Sequence, residues 1–249
     1  GTIASMILLD TTSWEIKETK NKGKGVFATK IIEAGTVIAD YIGKAINIAE
    51  EDTSEKDGLY LLYYNDSTAL YPEDLHAPGA HRINHSCTPN SWIHTYKGHT
   101  LFFALRKIFP GEEITISYQL SPDDYCNPCT HKCICGSEFC TGTMHLTQKE
   151  FATWNTFSEN ESKETKRANI TYGEILPRLK NYPKEINDNP IYTLFGNDTL
   201  KPTVLEVKKI PSVKTLRTLI RSTGTTIVLS HVGIKIYGIK NNKIIAYPL

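Results

Sequence analysis

The 249-residue sequence has no long apolar run, and it carries almost no net charge. No stretch approaches the roughly 18 apolar residues that a membrane helix requires. The short apolar run at residues 6–9 follows no basic residue, so we expect no secretory signal. A formal net charge of +1 excludes a uniformly basic nucleic-acid-binding domain. The 40% hydrophobic and 22% charged content is typical of a globular protein with one large domain, or with a main and a small domain.

The charge is unevenly distributed along the chain. Residues 1–146 hold 12 Lys/Arg and 18 Asp/Glu, a net of −6, whereas residues 147–249 hold 16 and 9, a net of +7. The acidic first part suits a cationic peptide, and the basic second part suits an anionic surface. The bases are 22 Lys and 6 Arg, which favours non-specific attraction over sequence reading. Alternatively, both parts simply present solvated charged faces.

Cysteine is confined to one position near the middle of the chain and one short cluster. Five of the six cysteines fall within 15 residues, at positions 126, 129, 133, 135 and 140, and the sixth is Cys87. Disulfide frameworks usually extend through a small secreted chain. The crowding therefore predicts a zinc site in a reducing compartment. Cys126 and Cys129 form a Cys-x2-Cys pair that is free, is disulfide-bonded or substitutes within the cluster; the sequence leaves these alternatives open.

Short apolar segments separated by turns predict a mostly β body up to about residue 146. Beyond it, the pattern predicts a smaller α+β extension, which either stands alone or packs against the body. Its predicted strands cover residues 226–229, 233–239 and 243–247. Two of its predicted helices begin at the capping patterns of Thr147 and Thr171. A third predicted helix covers residues 213–221. Pro177 weakens the second of these helices.

Two segments combine turn residues with functional groups. Gly23 and Gly25 lie two apart, a spacing that suits either a hairpin turn or close approach of main chain to a ligand. Residues 110–118 begin with a Pro-Gly turn, contain two glutamates, continue as a short apolar strand and end at Tyr118.

A third segment, residues 82–90, places Asn, His, Ser and Cys side by side before a Pro-Asn turn. Cys87 or Ser86 with His85 as the base would make a hydrolytic pair. That interpretation is disfavoured, because adjacent side chains of an extended chain point to opposite faces. A hydrogen-bonded turn is the simpler alternative.

In their order and spacing, these segments resemble the SET-domain protein lysine methyltransferases that carry a post-SET zinc motif. The resemblance covers roughly residues 17–146. The matching motifs are Gly23-Lys24-Gly25, Asp40-Tyr41-Ile42-Gly43 with Asp for the family's Glu, residues 82–90, residues 111–118, and Cys133, Cys135, Cys140 and Gly142 of the post-SET pattern.

The resemblance implies a mostly β SET fold with a pseudoknot, S-adenosylmethionine as methyl donor, and a lysine substrate in a narrow channel. It implies Tyr118 as the catalytic tyrosine and Tyr41 beside the channel. The residues implied to bind the donor are Gly23, Lys24, Gly25, Arg82, Asn84, His85 and Tyr60. The implied zinc ligands are Cys87, Cys133, Cys135 and Cys140, with His85 and His131 as competing candidates.

Two positions before Tyr118 depart from the family pattern. The residue preceding this tyrosine is usually Asp and here is Ser117, which some branches tolerate. Ile116 stands where Phe or Tyr usually limits the number of methyl groups that fit. Its shorter side chain leaves more space, which favours di- or trimethylation.

The sequence therefore predicts a SET domain at residues 1–146, with its zinc segment at about 122–146, and an extension at 147–249 that binds substrate or nucleosomes. Histone tails are the leading substrate, and the basic extension is a candidate contact for nucleosomal DNA. A nuclear enzyme, or a pathogen protein acting on host chromatin in the host nucleus, fits this prediction. An inactive binding module and a methyltransferase for a non-histone protein are the alternatives.

Overall fold

A computed structural model gives the fold. It describes residues 6–50, 60–87, 89–122, 131–136, 140–146, 148, 151–152, 167, 169–186, 203–206, 227–231, 234–239 and 243–248. Most regular structure within these residues is β-strand; the exceptions are one short 3-10 helix at Ala80–Arg82 and the helical residues 148 and 151–152, which belong to the helix predicted from Thr147. No helix in this part of the chain combines the length and the apolar character needed to cross a bilayer. The mostly β prediction is confirmed.

The strands before residue 120 form four small sheets. They are β1 Met6–Ile7, β2 Trp14–Glu18, β3 Lys24–Ala28, β4 Val37–Asp40, β5 Lys44–Asn47, β6 Leu62–Tyr63, β7 Thr68–Tyr71, β8 Asn84–His85, β9 Ser91–Tyr96, β10 His99–Ala104 and β11 Thr115–Ile116.

The core lies on an antiparallel sheet of order β1-β4-β10-β9. Every residue of β4 and β10 is buried, as expected for central strands with apolar side chains on both faces. A tight turn joins β9 to β10, in which Lys97 and Gly98 have φ of 47° and 82°. Ile38, Phe102 and Phe103 supply much of the enclosed volume.

Two further sheets flank the core. The β2–β3 hairpin pairs Trp14 with Ala28, and the second sheet has the order β5-β7-β6. Gly43 precedes β5, and a Cβ added there would lie 2.6 Å from the main-chain oxygen of Tyr71. Only glycine permits this approach of β5 to β7 without a backbone shift.

Strands β8 and β11 pair in parallel and bring together two segments far apart in sequence. Asn90 fastens them: its amide Nδ2 donates to the carbonyl of Glu113 at 2.8 Å, and its Oδ1 accepts from the amide of Thr115 at 2.9 Å. Asn90 is fully buried, so both ends of its side chain are paired within the protein.

The predicted helix beginning at Thr171 is wrong. Residues 171–186 contain no helix; Glu174 and Thr171 instead close a turn in which Gly173 has φ of 89°. Their main chain pairs with the body instead, because the amide of Ala45 donates to the carbonyl of Glu174 at 2.8 Å. Leu176 is buried in the main core. We call residues 169–186 the strap.

A separate sheet forms late in the chain. Its strands are β12 Thr203–Glu206, β13 Ile227–His231, β14 Ile234–Ile239 and β15 Lys243–Pro248. Strands β12 and β13 pair in parallel, and β13, β14 and β15 are antiparallel. The three strands predicted in this region are confirmed. The predicted helix at residues 213–221, and most of the one from Thr147, lie outside the described residues.

Candidate active site and cysteine centre

Tyr118 follows β11 and lies against β8. Its main-chain amide donates to Nδ1 of His85 at 3.1 Å, and its hydroxyl donates to the carbonyl of Ile83 at 3.3 Å. The His85 and Tyr118 rings meet edge to face, with centroids 5.4 Å apart. Burial raises the pKa of Tyr118, so the phenol stays protonated near neutral pH and acts as a hydrogen-bonding group.

Tyr41 follows β4 and is almost fully buried. Its hydroxyl donates to the main-chain carbonyl of Tyr60. Burial raises the pKa of Tyr41 well above its usual value, and the neighbouring phenols of Tyr118 and Tyr71 raise it further. Three of the predicted site residues, Tyr41, Tyr60 and Tyr118, are thus neighbours in the fold.

The glycine pair belongs to the β2–β3 hairpin. Gly23 has φ of 68° in the turn, and its carbonyl accepts from the amide of Thr19 at 2.7 Å. Gly25 is buried where a Cβ would come within 2.6 Å of Oε1 of Glu113 and 3.0 Å of Nδ2 of Asn84. Glycine at this position therefore lets the hairpin approach β8 closely.

Asn84 joins the hairpin to the β8–β11 pair. Its Nδ2 donates to Oε1 of Glu113 at 2.8 Å and to the carbonyl of Lys24 at 3.2 Å. The ammonium of Lys22 lies 2.5 Å from the other carboxylate oxygen of Glu113. Sequence reasoning did not assign Glu113 or Lys22; the two glutamates of residues 110–118 were the available signal.

His85 links Tyr118 to the cysteine cluster. Burial lowers the pKa of His85 to about 4, so the ring is neutral at pH 7. Because Nδ1 accepts from the Tyr118 amide, the proton of the neutral ring sits on Nε2. Nε2 lies 3.6 Å from Sγ of Cys87 and donates to it.

Arg82 occupies a structural position in the fold. Its guanidinium donates to the carbonyl of Leu75, which also lies 3.2 Å from Nε2 of His81. The Tyr60 and His81 rings meet edge to face, with centroids 6.2 Å apart. Arg82 and Tyr60 are therefore connected through Leu75 and His81, whereas Gly25 belongs to the hairpin and Asn84 binds to it.

The four cysteines predicted as zinc ligands converge. The Sγ atoms of Cys87, Cys133, Cys135 and Cys140 all lie within 4.8 Å of one another. Tetrahedral zinc with bonds of about 2.3 Å holds its sulfur ligands about 3.8 Å apart. Four thiols at this spacing therefore fit a structural zinc ion.

With no metal bound, the surroundings of two of the thiols favour their protonated form. A hydrogen bond with Cys135 and burial raise the pKa of Cys87, and burial raises the pKa of Cys133 to about 12. A bound dication reverses this preference by stabilising the thiolates. The amide of Gly142 donates to Sγ of Cys140 at 3.4 Å. Main-chain amides commonly donate in this way to sulfur atoms that bind a metal. Cys126 and Cys129 lie outside the described residues.

A buried polar group next to Tyr41 was not assigned from the sequence. Oδ2 of Asp40 accepts from Nδ1 of His99 and from the hydroxyl of Tyr182, each at 2.7 Å. Asp40 is fully enclosed, and Tyr182 belongs to the strap. The strap therefore hydrogen-bonds to the residue that precedes Tyr41.

Comparison with known proteins identifies the body of the chain. Residues 23–119 match the family model described as the SET domain. The chain is 34% identical over 129 residues to "Histone-lysine N-methyltransferase trithorax" of Drosophila virilis, an alignment covering 47% of this chain and 3% of that protein. It is 34% identical over 127 residues to human "Histone-lysine N-methyltransferase 2B", covering 47% of this chain and 5% of that protein.

A yeast relative is covered more fully. The chain is 32% identical over 162 residues to "Histone-lysine N-methyltransferase, H3 lysine-9 specific" of Schizosaccharomyces pombe, covering 54% of this chain and 33% of that protein. The chain thus spans a third or less of the length of these curated relatives. Residues 23–119 thus match the SET-domain model, and the relatives similar to this part of the chain include histone-lysine methyltransferases.

Proposed function

We propose that this protein is an S-adenosylmethionine-dependent protein-lysine N-methyltransferase that acts on cationic histone tails. The observation that carries the proposal is the grouping of three tyrosines, Tyr41, Tyr60 and Tyr118, beside the β8 segment. The histone-lysine methyltransferase homologues support the same chemistry.

Tyr118 is the proposed catalytic residue. Its phenol hydroxyl can orient a lysine amine. The Ile83 carbonyl, 3.3 Å from that hydroxyl, can accept weak hydrogen bonds from the polarised C–H groups of the methyl group that is transferred. Tyr41 is the proposed wall of the channel, because its hydroxyl is held by the Tyr60 carbonyl within a buried aromatic group. Methyl transfer depends chiefly on positioning two reactants and excluding water.

We propose that the methyl donor binds at the exposed turn of the hairpin and beside β8. When bound, S-adenosylmethionine supplies a sulfonium methyl carbon that accepts the lysine lone pair while the carbon–sulfur bond breaks. The exposed turn at Gly23 and Lys24 offers main-chain groups to it, and no atom within 4 Å occupies the position of a Cβ on Gly23. Asn84 and neutral His85 are the proposed contacts of its amino-acid end, with Arg82 and Tyr60 nearby.

The substrate lysine has to lose a proton before it attacks. An ordinary lysine has a pKa near 10.4, and burial disfavours its charged form. Buried phenols that keep their protons, as Tyr41 and Tyr118 do, provide hydrogen-bond partners without adding negative charge that would stabilise the ammonium. We propose that the proton leaves to solvent as the amine enters the channel.

The proposed zinc ion links substrate channel and fold. Its ligands, Cys87, Cys133, Cys135 and Cys140, join the β8 segment to a part of the chain that follows Tyr118. A cross-link of this kind stabilises the folded state in proportion to metal affinity. We propose that it holds the segment after residue 131 against the active site.

Histone tails are the proposed substrate because the first 146 residues carry a net charge of −6. The proposed DNA contact of the basic second part and a nuclear site of action follow from the same reasoning. Ile116, buried next to Tyr118, is smaller than an aromatic residue, so we propose di- or trimethylation.

Transfer of labelled methyl groups tests the proposal. The full chain is incubated with labelled S-adenosylmethionine and with free core histones, nucleosomes or a nuclear lysate. We expect label on a histone lysine, and mass spectrometry gives the site and the number of methyl groups. Label confined to a non-histone protein would refute the histone assignment but keep the enzyme. Donor binding without transfer to any of the three would favour the binding-module alternative.

A further inference from the structure

A pair of histidines lies apart from the tyrosine site. Nδ1 of His131 and Nε2 of His145 are 3.2 Å apart, and the two rings meet at 67° with centroids 5.2 Å apart. Nδ1 of His145 donates to the main-chain carbonyl of Ser121. Both imidazoles are partly buried.

The hydrogen bond to Ser121 fixes the tautomer of His145. With the proton on Nδ1, the neutral ring presents the lone pair of Nε2 towards His131. A ring N–H held by a backbone carbonyl is the arrangement that orients metal-ligating histidines. An N–H···N hydrogen bond between the two rings is the competing explanation of the same contact.

The separation of the two nitrogens suits a shared metal. Tetrahedral zinc with nitrogen bonds of about 2.0–2.1 Å places two such ligands about 3.3 Å apart. The observed 3.2 Å matches that value, and the two rings are inclined at 67° rather than stacked. Imidazole nitrogen suits zinc and neighbouring transition metals over calcium or magnesium.

The main chain holds the pair in place. The carbonyl of His131 accepts from the amide of Met144 at 2.9 Å, and Lys132 bridges to Thr143. His145 also bridges to Leu120, two residues after Tyr118. The histidines are therefore supported by paired backbone and not by one mobile loop.

The histidine pair and the cysteine centre share this backbone. The amide of Cys133 donates to the carbonyl of Gly142 at 3.1 Å, next to the Lys132 bridge. In the sequence, the Cys-x2-Cys pair that the cysteine centre does not use ends two residues before His131. The proposal below is defined by the two imidazoles alone.

We propose that His131 and His145 are ligands of a second divalent transition-metal ion, zinc being the best match, distinct from the four-cysteine centre. Such an ion would connect the chain at residue 131 to the chain at residue 145. The hydrogen bond between His145 and the Ser121 carbonyl would extend this connection to the segment beginning at Ser121. The segment after the proposed catalytic tyrosine would then be held at two metal centres. This inference does not depend on methyltransferase activity.

Metal counting on the full, tag-free chain tests the inference. Protein purified with zinc and then desalted is analysed by plasma mass spectrometry. We expect two zinc ions per chain in the wild type and one in each of two variants, His131→Gln and His145→Asn. The asparagine amide keeps a donor for the Ser121 carbonyl but removes the Nε2 ligand. The glutamine amide likewise removes the Nδ1 ligand.

A matched variant and a folding check complete the experiment. His76→Gln changes an exposed histidine and should keep two ions. Circular dichroism confirms that each variant is folded. One zinc ion per chain in the folded wild type would overturn the inference even if a variant failed to fold. A second ion that survives in both folded histidine variants would also overturn it.

Discussion

Gly43 shows how one missing side chain fixes part of the fold. A Cβ at this position would lie 2.6 Å from the oxygen and 2.8 Å from the carbonyl carbon of Tyr71. Because the obstacle is main chain, it cannot rotate away. We expect Gly43→Ala to lower the free energy of unfolding by about 1–3 kcal/mol, the usual effect of overpacking. Urea unfolding measures it, and an unchanged midpoint would contradict the account.

Asn84 tests the proposed donor site at the level of one amide. Its Nδ2 group bonds both Glu113 and the Lys24 carbonyl, so its loss should loosen the hairpin next to β8. We expect Asn84→Ala to weaken S-adenosylmethionine binding at least about tenfold, equivalent to about 1.4 kcal/mol. Isothermal titration calorimetry measures the affinity. Asn169→Ala, at an exposed position, is the control and should bind as the wild type does.

The site residues differ in how far sequence could predict them. The four thiols were predictable, because cysteines crowded within a few residues have few uses besides metal binding, and the family pattern supplied Cys87. The structure brings these same four together. Tyr182 could not be predicted, since its partner, Asp40, lies 142 positions earlier in the chain. Local pattern carries no information about such a contact.

At the scale of elements, the strap is held to the central sheet by a buried carboxylate. Tyr182 donates to Asp40 at 2.7 Å, and the amide of Val37 donates to the carbonyl of Lys184 at 2.9 Å. A hydrogen bond to a charged group contributes about 1.5–3 kcal/mol. We expect Tyr182→Phe to reduce the unfolding free energy by that amount in urea unfolding.

Tyr172→Phe provides the matched comparison within the same strap. Its hydroxyl is exposed and lies 3.5 Å from the carbonyl of Ser67, which is long for a hydrogen bond. We therefore expect the unfolding free energy to fall by less than about 0.5 kcal/mol. Equal effects of the two substitutions would show that the Asp40 contact does not hold the strap.

The strap also explains why one predicted helix does not form. The Thr-x-x-Glu spacing at Thr171 resembles a capping box, yet it closes a turn at Gly173, and Pro177 follows within one helical turn. The edge of β5 satisfies the backbone groups that a helix would have paired internally. By contrast, the β9–β10 hairpin was predictable, because a Lys-Gly turn lies between two apolar segments.

At the scale of the whole molecule, removing the metal should loosen the part of the chain that follows Tyr118. The cysteine centre connects Cys87 to residues 133–140, and binding energy at such a site is also folding energy. We expect a strong chelator to lower the thermal unfolding midpoint and to abolish methyl transfer. Added zinc should restore both. A midpoint unaffected by complete zinc removal would contradict a structural role for the centre.

The opposite charges of the two parts of the chain predict a salt-sensitive association with nucleosomes. Lysine contacts to phosphate release counterions, so affinity should fall steeply and linearly on logarithmic axes as salt increases. We expect this slope for nucleosomes and for DNA of unrelated sequences, as measured by fluorescence anisotropy. An affinity independent of salt, or confined to one DNA sequence, would contradict the proposed contact.

Tyr118 is proposed to orient the lysine amine for methyl transfer. The most direct test of this role is the single-turnover rate of transfer to core histones at saturating donor, for the wild type and Tyr118→Phe, with donor affinity measured in parallel. We expect the rate to fall by about 10²-fold or more while donor affinity changes little, because the lost hydroxyl acts on the amine. An unchanged rate in Tyr118→Phe would contradict the account.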